Sequence, residues 1–224
     1  ITKRMATFLV SGPARWDYQQ PIVILDEVSQ QTNIFQPQVE AVGDLSKSLQ
    51  FLTENISTAS GWDSTDLEAY RSEREGPLYP TGKGLMPGAV VRIARKRLAD
   101  NGIMTVDAGS HKILVGDTWV TKRQRGFLTS SGLGSMAVAL PAAIAAKLVE
   151  PQTPVLCLTG DGGFLMRIGD LEVAAREGLA IVVVIFNDGY LNLIKMQQDS
   201  RSRKRLGTKF RDSDYVSVAK GLGF

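Results

Sequence analysis

At 224 residues, 43% apolar and 22% charged, the chain is long enough to bury a substantial core, as one large domain or two small ones. A net charge of +3 is too small to point to nucleic acid or an anionic membrane surface, and no apolar stretch approaches the ~20 residues of a membrane helix. The single cysteine, Cys157, lies in an apolar run and admits no internal disulfide, which fits a core thiol in a reducing compartment, the cytoplasm.

In chain order, the sequence starts at Ile1-Thr2-Lys3-Arg4 with neither an initiator methionine nor a signal-peptide apolar region. Pro21-Ile22-Val23-Ile24-Leu25-Asp26 reads as a strand, and after a polar stretch Asp44 is positioned to cap an apolar-periodic helix over 45–52. Residues 1–54 therefore read as the C-terminal part of an α/β domain. Residues 55–86 shift to Ser, Thr, Gly, Pro and charge without apolar periodicity and read as a linker. Residues 87–224 form the second domain. Pro87 suits a first helical turn, and Val90, Val91, Ile93, Ala94 and Leu98 recur at helical spacing until Asp100-Asn101-Gly102. Strands follow at 103–106 and 127–129, then a small-residue helix over 136–148, a strand at 155–158, a helix over 171–176 and an apolar strand at 180–186. The helical pattern over 214–220 runs into Gly221-Leu222-Gly223-Phe224, so both ends read as cuts from a longer chain. Continuous apolar strands alternating with helices predict a doubly wound parallel α/β sheet with helices on both faces, whose ligands bind at the carboxyl ends of the strands.

Two of those strand ends carry acids among glycines. The first is Thr159-Gly160-Asp161-Gly162-Gly163, where glycine amides can approach an anion closely while the carboxylate stays free for a hard cation. The second, Asn187-Asp188-Gly189-Tyr190, ends the next strand. Consecutive parallel strands bring both segments to one sheet edge, so Asp161 and Asp188 converge although 27 positions apart. Two carboxylates and a carbonyl make an oxygen site suited to magnesium. Each motif alone is also a common turn in which the aspartate only tightens the loop.

Gly160-Asp161-Gly162, 24 residues and Asn187-Asp188 together resemble the cofactor motif of the thiamine-diphosphate-dependent enzymes of the acetolactate synthase and pyruvate decarboxylase superfamily. The resemblance implies that Asp161, Asp188 and the Tyr190 carbonyl hold Mg2+, and that Gly160, Gly162, Gly163 and Asn187 belong to the same diphosphate site. The family usually has a second asparagine where Asp188 stands. Asp107-Ala108-Gly109-Ser110-His111 resembles the family loop that contacts the diphosphate, giving that role to Gly109, Ser110 and His111. Ser131-Gly132-Leu133-Gly134-Ser135-Met136 resembles the segment in which a methionine wedges beneath the cofactor and a glycine carbonyl accepts from its aminopyrimidine; Met136 and Gly134 would take these roles. Ile194 would sit near the thiazolium. A core position explains Ile194 equally well. For Met136 the plain alternative is a core methionine at a helix start, and the motif context tips the balance; a lone histidine is more often structural than catalytic.

By this resemblance the substrate is a small 2-keto acid, decarboxylated with transfer of the acyl unit to a second carbonyl, or released as in a simple decarboxylase or lyase. Asn187-Asp188-x-Tyr190-Leu191-x-Leu193-Ile194 looks closer to the ligating branch, whereas Gln197 stands where the biosynthetic acetohydroxyacid synthases have tryptophan. The resemblance places the activating glutamate on an N-terminal domain, usually of a partner subunit, so no catalytic residue is assigned here and a homodimer or homotetramer with shared sites is expected. Without that domain, a cofactor-binding relative lacking turnover is a further reading. Flavin (FAD) binding by the central domain is not legible in either direction. Gly132-x-Gly134-x-x-Ala137 also nearly matches the dinucleotide fingerprint of an oxidoreductase, although that reading leaves the Asn187-Asp188 loop idle. Arg201, Arg203, Lys204, Arg205, Lys209 and Arg211 form one basic cluster, interleaved only by the aromatic Phe210. It suits a solvated face or a lid over a carboxylate substrate better than a nucleic-acid site.

Overall fold

The computed structural model describes residues 20–29, 37–57, 61, 63–78 and 84–224, so the readings made at residues 1–19 lie outside the described residues. The chain divides into two compact units, residues 1–68 and 69–224.

In the first unit β1 (Val23–Asp26) pairs in parallel with β2 (Val39–Val42), register Val23↔Val39, and α1 (Leu45–Asn55) follows. The side chain of Asp44 accepts from the Lys47 amide at 3.0 Å, closing the helix start as its sequence suggests. β2 falls in the stretch that reads as merely polar; its four residues are mostly exposed and too few to establish an alternation. A helix also occupies much of the expected linker: α2 (Ser64–Leu78), opened by Asp63 Oδ1 accepting from the Asp66 amide at 2.8 Å. It has good helix formers but no apolar stripe, and periodicity cannot reveal such a helix. The boundary between the two units falls within it.

The second unit continues with α3 (Pro87–Arg97), β3 (Ile103–Val106), α4 (Ser110–Thr118), β4 (Phe127–Thr129), α5 (Ala139–Val149), β5 (Val155–Gly160), α6 (Asp161–Arg167), α7 (Asp170–Arg176), β6 (Ile181–Phe186), α8 (Asn192–Ser200) and α9 (Tyr215–Gly221). The strands lie in the order β4-β3-β5-β6, all parallel, in the predicted α/β architecture with helices on both faces. Successive strand residues point to opposite faces, and the core divides accordingly. Ile103, Val155 and Cys157 pack with Leu140, Ala143, Phe164, Leu171 and Tyr215 of α5, α6, α7 and α9. Met104, Val106, Leu156 and Leu158 pack with Val91 of α3 and Val115 of α4, and with Trp119. Cys157 is the core thiol expected, fully buried, its pKa pushed up to about 12 chiefly by burial. The edge strand β6 is less covered than its apolar sequence suggests: Val182 is 60% exposed beside an apolar recess of about 370 Å³ lined also by Leu85, Ile93 and Leu98.

Three boundaries that differ from expectation shape the site. The small-residue helix starts at Ala139 rather than residue 136, because Ala137 takes a left-handed conformation at φ +63° and ends any helical path through it. β5 extends to Gly160 and α6 begins at Asp161, so the glycine-rich segment is a strand-to-helix junction rather than a loop. Ser110 and His111 open α4, a short helix that contains Gly116 and has too weak an apolar face to be read from sequence.

Candidate functional site

The chain leaves β3, forms β4 on one side of it, then crosses to form β5 on the other. The crevice of such a sheet lies where the order reverses, at the carboxyl ends of β3 and β5. The segments that end these strands are residues 107–111 and 160–163, and the 187–190 segment ends the adjacent β6. The parallel register pairs Gly160 with Phe186, the residue just before Asn187, so the last two segments leave the sheet side by side.

Asp161 is 3% exposed. Its Oδ1 accepts from the Gly162 amide at 2.8 Å and its Oδ2 from the Gly189 amide at 2.8 Å, so the β5 junction is bonded directly to the loop after β6. Asp188, on that loop, is exposed and its Oδ1 accepts from the Tyr190 amide at 3.0 Å. Burial pushes the Asp161 pKa up, the two amides oppose that shift, and the charge of Asp188 adds to it. Among the described residues neither carboxylate pairs with a cationic side chain, and no backbone amide donates to the Tyr190 carbonyl. Each Asp161 oxygen keeps a free lone pair. These donors, two unneutralised carboxylates and an open carbonyl, fit a hard divalent cation that draws its remaining ligands from water and phosphate oxygens. No group of three or more His, Cys, Asp or Glu residues that could hold a metal ion occurs among the described residues.

His111 is buried beneath the same edge. Its ring stacks on Phe186, centroids 5.4 Å apart, and lies so close to Gly109 and Gly160 that a Cβ on either would meet it at 2.7 or 3.2 Å. Burial lowers its pKa, Asp107 and Asp188 opposing, which leaves the imidazole neutral near pH 7. Its Nε2 has no hydrogen-bond partner among the described residues, an orphan that a polar ligand atom would satisfy. Gly109 precedes α4 and Ser110 begins it, so the amides of the first turn and the positive helix end face this edge. The Asn192 amide, from α8, reaches the Ser110 hydroxyl at 3.4 Å.

Met136 and Phe210 meet over α6. A Cβ on Gly162 would stand 3.1 Å from the Met136 methyl and 3.1 Å from the Phe210 ring. Phe210 arrives there because its amide donates to the Gly189 carbonyl at 2.8 Å, the Leu191 amide donates to the Thr208 carbonyl at 2.8 Å, and Tyr190 and Lys209 form an antiparallel bridge. The basic segment is thus strapped to the Asp188 loop, and Arg205 within it is paired with Asp199 at 2.6 Å.

The fold therefore brings together Gly109, Ser110, His111, Met136, Gly160, Asp161, Gly162, Gly163, Asn187, Asp188 and Tyr190. No hydrogen bond or ring contact among the described residues joins Gly134 or Ile194 to them; Gly134 lies in the loop at φ +65° and Ile194 is 44% exposed on α8. Sequence reasoning passes over Asp107, Thr159, Asn192 and Phe210. Asp107 stands within the 107–111 segment and Phe210 within the basic cluster, so both were in view without a pattern to single them out. The dinucleotide fingerprint is overturned by backbone geometry: its third small residue should pack inside the helix, whereas Ala137 precedes α5 in a left-handed turn.

Residues 107–224, more than half of the chain, match the family model "Thiamine pyrophosphate enzyme, C-terminal TPP binding domain". The chain is 30% identical over 203 residues to acetolactate synthase 1, chloroplastic, of Oryza sativa subsp. japonica, covering 84% of this chain and 32% of that protein. It is 28% identical over 225 residues to acetolactate synthase of Bacillus subtilis (94% and 39%), and 39% identical over 99 residues to acetolactate synthase isozyme 1 large subunit of Escherichia coli (44% and 18%). It spans little more than a third of the length of such relatives at most. No helix among the described residues is long and apolar enough to cross a membrane. The strand-end crevice with its paired acids and the match across residues 107–224 agree, and the chain belongs to the thiamine pyrophosphate enzymes, resembling the acetolactate synthases among them.

Proposed function

We propose that this chain forms the diphosphate- and magnesium-binding part of an enzyme that decarboxylates a 2-keto acid and transfers the acyl unit to a second carbonyl. The observation that carries the proposal is the pair Asp161 and Asp188, drawn to one edge by β5 and β6, tied by the Gly189 amide and lacking any cationic partner among the described residues. When bound, thiamine diphosphate supplies the electron sink for loss of carbon dioxide. Asp161, Asp188 and the Tyr190 carbonyl would hold Mg2+, which neutralises the diphosphate. Gly109, Ser110, the amides opening α4 and the orphaned Nε2 of His111 would hold the diphosphate oxygens. Gly160, Gly162 and Gly163 keep side chains out of the junction, and Asn187 flanks it. Met136, resting on Gly162 beside Phe210, would bear on the cofactor, Gly134 would accept from its aminopyrimidine and Ile194 would line the substrate side.

Family likeness assigns the activating glutamate to an N-terminal domain of a partner subunit, so the active unit proposed is a homodimer or homotetramer in the cytoplasm. The likeness to acetolactate synthases favours carboligation over simple decarboxylation. Incubating the full-length protein with pyruvate, thiamine diphosphate and magnesium tests this. A 2-hydroxy-2-methyl keto acid formed with one carbon dioxide per two pyruvates supports carboligation; acetaldehyde as the sole organic product identifies a non-ligating decarboxylase or lyase instead.

A further inference from the structure

Asp107 is 1% exposed, and all of its hydrogen bonds run to other parts of the sheet edge. Its Oδ1 accepts from the Val138 amide at 2.6 Å and the Ala139 amide at 2.7 Å, and its Oδ2 from the Thr159 hydroxyl at 2.6 Å. The first two are donors at the start of α5 that have no partner within the helix, and a negative group there also faces the positive helix end. The third joins the end of β3 to the end of β5. A Cβ on Gly163 would land on Asp107 Oδ2, so the first turn of α6 closes against the same carboxylate. Thr105, two residues earlier on β3, donates to the Ala139 carbonyl at 2.8 Å and fixes the same helix start from a second side.

Ala137 stands immediately before the two amides that Asp107 holds, in the left-handed region at φ +63°. Residues with a Cβ seldom keep that conformation unless their surroundings determine it, and such strain gathers at ligand sites. The turn has a consequence one residue earlier: it directs Met136 away from the helical path and onto Gly162. We infer that Asp107 is a positioning residue, which clamps the Ala137 turn through the Val138 and Ala139 amides and so sets Met136 over the Asp161 junction.

The inference rests on the proposed contact of Met136 with the cofactor. Its test uses the full-length protein, with thiamine diphosphate affinity measured by calorimetry at saturating magnesium. Amide hydrogen exchange at Val138 and Ala139 is followed in the cofactor-free protein. Asp107→Ala is expected to speed exchange at both amides at least about tenfold and to weaken the cofactor about tenfold, the usual scale for losing hydrogen bonds to a buried charge. Asp107→Ser, which keeps a small polar group, carries the same expectation should the alanine variant fail to fold. Asp107→Asn should rescue both readouts to within about threefold: its carbonyl accepts from the two amides, and its NH2 donates to Thr159 Oγ1, which turns its own hydrogen to the Gly160 carbonyl already 3.2 Å away. The Asp107→Ala, Met136→Ala double variant should bind no more weakly than Met136→Ala alone. Unchanged exchange in Asp107→Ala and Asp107→Ser, failure of the asparagine rescue, or full additivity in the double variant would overturn the inference. Accelerated exchange with no effect of Met136→Ala on affinity would instead overturn the role given to Met136 and leave the clamp standing.

Discussion

Replacing Gly163 by alanine should destabilise the protein, against the ordinary rule for a glycine inside a helix. Alanine in a helix is favoured over glycine by roughly 1 kcal/mol. At Gly163 the added Cβ would fall on Asp107 Oδ2, with Asp107 Cγ and Thr159 Oγ1 each 3.2 Å away. Asp107 cannot swing aside, because its oxygens are committed to the Val138 and Ala139 amides and the Thr159 hydroxyl. Overpacking costs about 1–3 kcal/mol, and weakening a hydrogen bond to a buried charge about 1.5–3 kcal/mol more. Against the helix gain, the net loss is about 1.5–5 kcal/mol. Gly116, in α4, is the control: it is exposed, nothing lies within 4 Å of its added Cβ, and Gly116→Ala should be neutral or stabilise by up to about 1 kcal/mol. Urea unfolding midpoints measure both variants. If Gly163→Ala shifts the midpoint upward as Gly116→Ala does, the close approach of Asp107 to α6 is refuted.

The Glu150 carboxylate, bonded to Arg123 at 2.8 and 2.9 Å and to the Thr153 hydroxyl, has its pKa pulled down to about 2, chiefly by Arg123. A depressed folded-state value means the stabilisation is complete above the ordinary glutamate range and is lost as pH falls from about 4.5 to about 2, so Glu150→Gln should flatten the acid limb of the stability curve in that window. His111, lowered by burial, should titrate below 6.5 by NMR in the cofactor-free protein; protonation then favours the unfolded chain, so stability falls as pH drops through 6.5, and a midpoint above 6.5 would contradict the packing described. Cys157, with its thiol pushed up to about 12, should resist an aromatic disulfide reagent at pH 8 until the protein is denatured.

What the sequence made legible were features with strong local signals. Short apolar runs marked β3, β4, β5 and β6 to within a residue or two, and the spacing of glycine and aspartate marked both acidic strand ends. Asp44 identified a helix start through the chemistry of capping. The features not legible depend on partners distant in sequence. Asp107 acquires its role from amides more than thirty residues away, and Phe210 reaches Gly162 only because the segment after α8 folds back on Gly189. The start of α5 was misplaced for the same reason, since a left-handed alanine is set by its surroundings and not by its own preference. α2 and α4 were missed because neither carries a clear apolar stripe.

The central claim is that Asp161 and Asp188 form a magnesium-dependent diphosphate site. Calorimetric titration of thiamine diphosphate into the full-length protein, with magnesium and with chelator, beside the exposed-site variant Asp188→Ala, tests it most directly. The account predicts binding that requires magnesium and weakens at least about a hundredfold in the variant, as for a lost metal ligand. Equal affinity with and without magnesium, or wild-type affinity in Asp188→Ala, would contradict it.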